Sequence, residues 1–228
     1  MGPAVCVGVD IGQKVDPTAI VVAEAECRVE ELDGWNLPQR AGLVEPYEIT
    51  KKRVIHETSY IVRHLERLTL GTPYPKVAQH VALLMQALKR RGIHRPGLYL
   101  DATGVGLPVI ELVAAALKGQ SVRLVSVSFT HGDKFTRGKD TASLGKAFLV
   151  SRLQALLQTG RIKLPKTAES EALARELQDY EIKIDADAND KYGAFRVGAH
   201  DDLVTALGLA VLEDPLKAAQ KRRLVTFT

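Results

Sequence analysis

The sequence sets acids at three places where a folded chain has little structural use for them. Asp10 closes the apolar run AVCVGVD, and Asp101 closes GLYLD in the same manner. His200, Asp201 and Asp202 stand directly before a run from Leu203 to Val211 that is apolar at every position except Thr205 and Gly208. A carboxylate at a helix N-terminus caps unpaired N–H groups and meets the positive end of the dipole, but one is enough for that. An aspartate that ends a buried strand is costly without a partner, and for Asp10 the structural alternative is a cap on the turn at Gly12. If the strands carrying Asp10 and Asp101 are neighbours, the two carboxylates repel each other unless a cation lies between them. Asp201 and Asp202 supply a third corner if the last helix starts over those strand ends. Three or four hard oxygens suit Mg2+ or Mn2+, and two such ions about 4 Å apart can activate a water and stabilise the departing oxygen of a phosphodiester. The residues thus predict a metal-holding set of Asp10, Asp101, Asp201 and Asp202.

The elements that must position these acids follow from hydrophobic periodicity. AVCVGVD (4–10) reads as a buried strand, and TAIVVAEAECRV (18–29) as a second one joined to it by the turn VDPT in an antiparallel hairpin. Residues 30–50 carry Gly34, Pro38, Gly42 and Pro46 and read as a surface excursion. TSYIVRHLERLTL (58–70) alternates as an antiparallel strand with one wet face. Val77, Val81, Leu84 and Leu88 then recur at helical spacing, with Lys89, Arg90 and Arg91 in the last turn. PGLYLD (96–101) is a strand, LPVIELVAAALKG (107–119) a helix with Pro108 in its first turn, and SVRLVSVSF (121–129) a further strand. THGDKFTRGKD (130–140) reads as a loop or hairpin, and TASLGKAFLVSRLQALLQTG (141–160) as one long amphipathic helix. RIKLP is a short extended piece, ESEALARELQDYEIKID a helix running into a strand, and YGAFRVG (192–198) another strand before the final helix. Three antiparallel strands that continue through crossover helices into parallel ones predict an α/β fold of the ribonuclease H-like kind, a mixed sheet with helices on both faces.

Composition limits the alternatives. At 228 residues and 46% hydrophobic, the chain can bury a sizeable core, and a single domain over 1–228 is expected, with a charged tail over 214–228. A net charge of +4 permits an anionic partner without demanding one. Basic residues cluster at Lys51-Lys52-Arg53, Lys89-Arg90-Arg91 and Lys221-Arg222-Arg223, as solvated helix ends and loops also do. Cys6 and Cys27 fall in strands with no metal-site spacing, so free thiols in a reducing compartment are expected. No window is long and apolar enough for a membrane helix, no signal-peptide pattern opens the chain, and a soluble intracellular protein is expected.

Five segments, taken in order, carry a resemblance: GVDIGQKVDPTAIVV, YIVRHLERLTLGTPYP, LYLDATGVGLPVIELV, LVSRLQALLQTGRIKLP and HDDLVTALGLAV. Together they resemble the nuclease domain of the large terminase subunit of tailed bacteriophages, over nearly the whole chain. The resemblance implies a ribonuclease H-like fold and metal-dependent endonucleolytic cutting of concatemeric double-stranded DNA during capsid packaging, with two Mg2+ or Mn2+ ions. It places Asp10, Asp101 and Asp202 on the family's three acidic positions, with Asp201 as a further ligand. His200 would orient a water or contact phosphate, or simply face outward from the cap. The implied partners are double-stranded DNA, the terminase motor domain, the small terminase subunit and the portal protein, in the cytoplasm of an infected host cell.

Basic residues complete the expectation. Lys134, Arg137 and Lys139 lie where family nucleases place a mobile hairpin, and are candidates for holding phosphates without reading sequence. Lys146 falls where the family often has a basic residue, the alternative being a solvent-facing lysine. The chain carries no G-x-x-x-x-G-K-[ST] loop, so it is expected to cut without translocating DNA, as an excised or isolated nuclease half. A Holliday-junction resolvase shares the strand acids and the acid-bearing last helix. GVDIG and LDATGVG also resemble the phosphate turns of actin-like ATP-binding proteins, which need a second domain and an adenosine pocket that 228 residues leave no room for. A DNA-binding or capsid-docking module with a degenerate site is disfavoured because every acidic position is filled.

Overall fold

A computed structural model of the protein describes residues 4–12, 16–32, 53–104, 106–179, 181–184, 190–193 and 200–214. The strands are β1 (Ala4–Asp10), β2 (Ala19–Leu32), β3 (Arg53–Arg67), β4 (Gly97–Asp101), β5 (Arg123–Thr130), β6 (Phe135–Arg137), β7 (Thr141–Gly145) and β8 (Ile162–Lys163), followed by a separate pair, β9 (Glu181–Ile184) and β10 (Asp190–Gly193). The helices are α1 (Tyr74–Arg90), α2 (Gly106–Ala116), α3 (Lys146–Gln158), α4 (Ala168–Asp179) and α5 (Asp202–Ala210). Eight strands form one sheet in the order β6-β7-β5-β4-β1-β2-β3-β8. β1, β2 and β3 pair antiparallel as a meander, and β4 joins the other side of β1 in parallel. β5 and β7 extend the parallel half, as the mixed-sheet reading anticipates.

Alternation along the strands assigns the two faces. Val5, Val7 and Val9 share a cluster with Ile20, Val22, Leu98 and Leu100, covered by Val81 and Met85 of α1 and Val113 of α2. Cys6, Ala19, Val21, Tyr99, Val125 and Val127 face the opposite way, under Leu149 and Leu153 of α3 and Leu203 and Leu207 of α5. Strands buried on both faces must be apolar at nearly every position, which is why AVCVGVD and GLYLD end so abruptly at their acids.

α5 is the helix that matters for position. It is buried throughout except at Thr205, and Leu203, Leu207 and Leu209 are fully enclosed, each contributing about 1.5–3 kcal/mol of burial. It lies directly on the backbone of β1, because a side chain at Gly8 would overlap the carbonyl oxygen of Ala206 and the amide of Ala210. Gly8 therefore sets the approach that carries the first turn of α5 to the carboxyl end of β1.

Three elements differ from the sequence reading. Thr141–Gly145, expected as the first turns of a long helix, is a strand, pairing with β5 in parallel and with β6 antiparallel. Ala142 and Leu144 are buried while Thr141 is exposed, so a period of two hides at the head of a helical pattern, and the open edge of β5 selects it. The helix begins at Lys146, beyond Gly145, where a Cβ would collide with the carbonyl oxygen of Gly132. The third strand runs from Arg53 to Arg67, starting earlier than expected, because it pairs with β2 along its full length through one irregularity at Val22/Ala23. The expected strand over 192–198 is met only by β10, and residues 194–199 lie outside the described residues, as do 215–228 of the tail and 33–50 of the surface excursion, whose first residues 30–32 instead continue β2.

Candidate metal centre

The register of β1 and β4 decides the first pair. Val9 stands beside Leu100 in parallel strands, so the next residues, Asp10 and Asp101, leave the sheet side by side at its carboxyl edge. Both fall in step with the positions that face α5, Gly8 on β1 and Tyr99 on β4. The turn between β1 and β2 leaves the sheet at the same edge and brings Asp16 along, and α5 delivers Asp201 and Asp202 from above. These acids line a cavity of about 200 Å³ together with Lys146.

Each carboxylate is held differently. Asp101 Oδ1 accepts the backbone N–H of Thr103 at 2.7 Å, and the Thr103 hydroxyl accepts the N–H of Phe129 at 2.7 Å, which fixes the strand end. Asp202 is buried, and its Oδ2 accepts Arg67 Nε at 2.6 Å. Its Oδ1 receives no hydrogen bond from any described residue. That oxygen lies 3.7 Å from Nδ1 of His200, which in turn lies 3.0 Å from Oδ1 of Asp16. Asp16, His200 and Asp202 thus offer one ligand atom each within 4.8 Å of one another.

Capping does not account for the surplus acids. Asp201 occupies the N-cap position of α5 without a side-chain cap hydrogen bond. The orphan amides at Leu203 and Val204 instead donate to Oε2 of Glu176, on α4, at 3.0 and 3.1 Å. A carboxylate from another helix takes over the cap, and the acids at residues 201 and 202 face the cavity.

Electrostatics says what the cavity can hold. Burial pushes the Asp10 carboxyl well above the ordinary carboxylate range, and the charges of Asp101, Asp201, Asp202 and Asp16 push it further. Asp101 is also raised, chiefly by burial, with Asp201 adding to the rise while the Thr103 bonds and Lys146 act against it. A cation would compensate this crowding, and a buried carboxylate oxygen with no donor is the kind of atom that coordinates one. A donor set dominated by carboxylate oxygen fits Mg2+ or Mn2+.

The terminase RNase H-like domain model matches residues 76–214 of the chain. The chain belongs to that family. Among solved structures, this terminase domain is similar to the large terminase nuclease from thermophilic phage G20c, at 18% identity and a TM-score of 0.56, over 92% of this chain and 82% of that one. The same phage nuclease with bound magnesium matches at 20% identity and a TM-score of 0.53, over 92% and 80%. The human cytomegalovirus terminase nuclease domain matches at 14% identity and a TM-score of 0.55, over 96% and 86%. At these identities the likeness establishes the ribonuclease H-like fold. No curated protein sequence matches the chain.

The other candidates of this terminase domain divide by location. Lys146 lines the cavity at the first position of α3, with Nζ 5.8 Å from the ring centroid of Phe129. Lys134 and Lys139 are exposed on the segment that forms the β6–β7 hairpin, away from the cavity lining. Arg137 on the same hairpin pairs with Glu213 at 2.5 Å and donates to the carbonyls of Gly138, Lys139 and Thr141, so its guanidinium ties the hairpin to the segment after α5. Sequence reasoning missed Asp16, read only as part of a turn; the signal was its place in the one connection that must emerge beside Asp10. It also missed Arg67 and Glu176, for which no local pattern exists.

Proposed function

We propose that this domain is a metal-dependent endonuclease that hydrolyses the phosphodiester bonds of double-stranded DNA, cutting concatemeric viral DNA during genome packaging. The observation that carries the reading is the convergence of Asp10, Asp101, Asp201 and Asp202 from two strands and a helix on one cavity, where Asp202 Oδ1 is buried without a donor. That a domain of similar fold is solved with bound magnesium supports it.

Asp10, Asp101 and Asp202 are the residues we assign to holding two divalent ions, with Asp201 as a further ligand. When bound, such a pair supplies Lewis acidity toward the phosphate and activation of a water. The chain supplies position and charge. Asp10 would hold a cation, since burial and the charges of Asp101, Asp201, Asp202 and Asp16 all act against its carboxylate when no positive charge is near. Asp101 is held by Thr103, whose backbone N–H donates to its Oδ1. Lys146, which lines the cavity, would neutralise a phosphate oxygen of the DNA, and His200, paired with Asp16, would orient a water or contact phosphate. Lys134 and Lys139 on the hairpin would engage the duplex backbone without reading bases, and the guanidinium of Arg137 would anchor that hairpin rather than grip phosphate. The terminase motor domain, the small terminase subunit and the portal protein are the partners this reading assigns, and the cytoplasm of an infected host cell the place of action.

The test is cleavage of supercoiled plasmid by the purified protein with Mn2+, with Mg2+ and with EDTA, beside Asp101→Asn and beside a four-way junction substrate. Metal-dependent cutting of plain duplex that is lost in the variant is expected. Cutting confined to the junction would replace the packaging reading with a resolvase one, and no cutting with either metal would remove the nuclease reading.

A further inference from the structure

Behind the acids lies a buried ionic bracket. Arg67, at the end of β3, places Nε 2.6 Å from Oδ2 of Asp202 and Nη2 against Oε1 of Glu176. The side chains of Glu176 and Asp202 are only 6% and 2% exposed, and that of Arg67 is 26% exposed. Two buried carboxylates so close need a shared cation, and a planar guanidinium can serve both from separate nitrogens, which a lysine ammonium cannot do with the same geometry. Glu176 completes the bracket by capping the amides of Leu203 and Val204 with its other oxygen.

We propose that Arg67 and Glu176 are positioning residues for Asp202, together fixing the start of α5 and turning Oδ1 of Asp202 into the metal cavity; the proposal rests on the metal-dependent reading above. Asp202 has two oxygens and the bracket occupies one of them. The other lies 3.7 Å from Nδ1 of His200, in the group that Asp202 forms with His200 and Asp16. Because Glu176 supplies the cap, Asp202 is not drawn back to the amides of its own helix. The guanidinium acts through Asp202 and does not line the cavity itself.

The sign of the effect separates positioning from charge. Arg67 brings a positive charge close to a cation site, so by Coulomb's law alone its removal should tighten cation binding. Loss of orientation should weaken it, by the roughly 10–100-fold that outer-shell partners of metal ligands typically control. The experiment titrates Mn2+ by calorimetry into metal-stripped wild type, Arg67→Met, Arg67→Lys and Glu176→Gln, with thermal unfolding in EDTA and plasmid cleavage recorded for each. All folded variants are expected to bind Mn2+ about 10–100-fold more weakly. Arg67→Lys, which keeps the charge, should recover part of the melting temperature without recovering the affinity. In Glu176→Gln the amide can still accept from α5, but it turns a donor toward Arg67, and affinity should fall. Wild-type or tighter Mn2+ binding in Arg67→Met overturns the proposal. If that variant does not fold, unchanged affinity in Arg67→Lys and Glu176→Gln overturns it equally. A wild type that binds no Mn2+ removes this inference together with the metal reading, whereas one that binds Mn2+ without cutting DNA removes only the nuclease reading and leaves the bracket to be judged on the affinities.

Discussion

Asp10 is the residue on which the electrostatics concentrates. Its folded-state pKa is raised by burial and by four neighbouring acids, so without metal the folded protein holds a proton that the unfolded chain releases near pH 3.9. A raised carboxyl favours folding below the unfolded pKa, and that contribution is lost as pH rises through the folded one. The metal-free protein should therefore lose melting temperature as pH rises above the unfolded value and through the raised folded one, and Mn2+ should restore it. Asp10→Asn removes the charge with little change in shape, and should raise the metal-free melting temperature at pH 7 by roughly 2–4 °C, what about 1 kcal/mol does in a domain of this size, while abolishing cleavage. Differential scanning calorimetry with and without EDTA measures this; a variant that melts lower than wild type at neutral pH would count against the crowded cluster. Lys146 makes a complementary prediction. Lys146→Ala should leave Mn2+ affinity no weaker than wild type and lower kcat/KM for plasmid cleavage about tenfold or more, ~1.4 kcal/mol of transition-state stabilisation.

At the scale of elements, the site depends on how α5 meets β1. Gly8→Ala would drive a methyl group into the Ala206 carbonyl and the Ala210 amide, neither of which can yield without moving the helix. A cost of about 1–3 kcal/mol is expected, with a melting temperature several degrees lower and weaker Mn2+ binding, since Asp201 and Asp202 move with α5. Calorimetric titration of the folded fraction checks the second half: unchanged affinity would mean that the helix start is fixed from elsewhere. Much of this geometry was legible in advance. Asp10 and Asp101 advertise themselves because they end runs that must be apolar on both faces. Asp201 and Asp202 stand out for the same reason ahead of a nearly continuous apolar helix. The β7 strand was hidden because its five residues precede a strong helical pattern without a break other than Gly145, and only the edge of β5 says that they pair. Arg67 was invisible for a different reason, lying 135 positions from Asp202 on a strand whose polar residues read simply as a wet face.

For the whole molecule, the fold divides labour between two layers. α1 and α2 close one face with an apolar cluster, while α3, α4 and α5 close the other and deliver the cap, the bracket and two of the acids. Among the described residues that line the cavity Lys146 is the one base, so on the proposed reading most phosphate contacts come from outside the lining. Binding to duplex in the absence of catalytic metal should weaken steeply with salt, log affinity falling by about 0.9 per phosphate contacted for each decade of salt. Fluorescence anisotropy across a salt series measures that slope, and replacing Lys134 and Lys139 with alanine together should lower it by up to about 2. A salt-independent affinity would contradict a backbone-tracking interface.

Whether the acids of β1, β4 and α5 hold metal is read most directly from an anomalous difference map of crystals soaked in Mn2+. Density is expected in the cavity among Asp10, Asp101 and Asp202, absent after soaking in EDTA and absent in Asp10→Asn. Crystals that take up Mn2+ only elsewhere on the surface, or not at all at concentrations that saturate ordinary carboxylate sites, would contradict it.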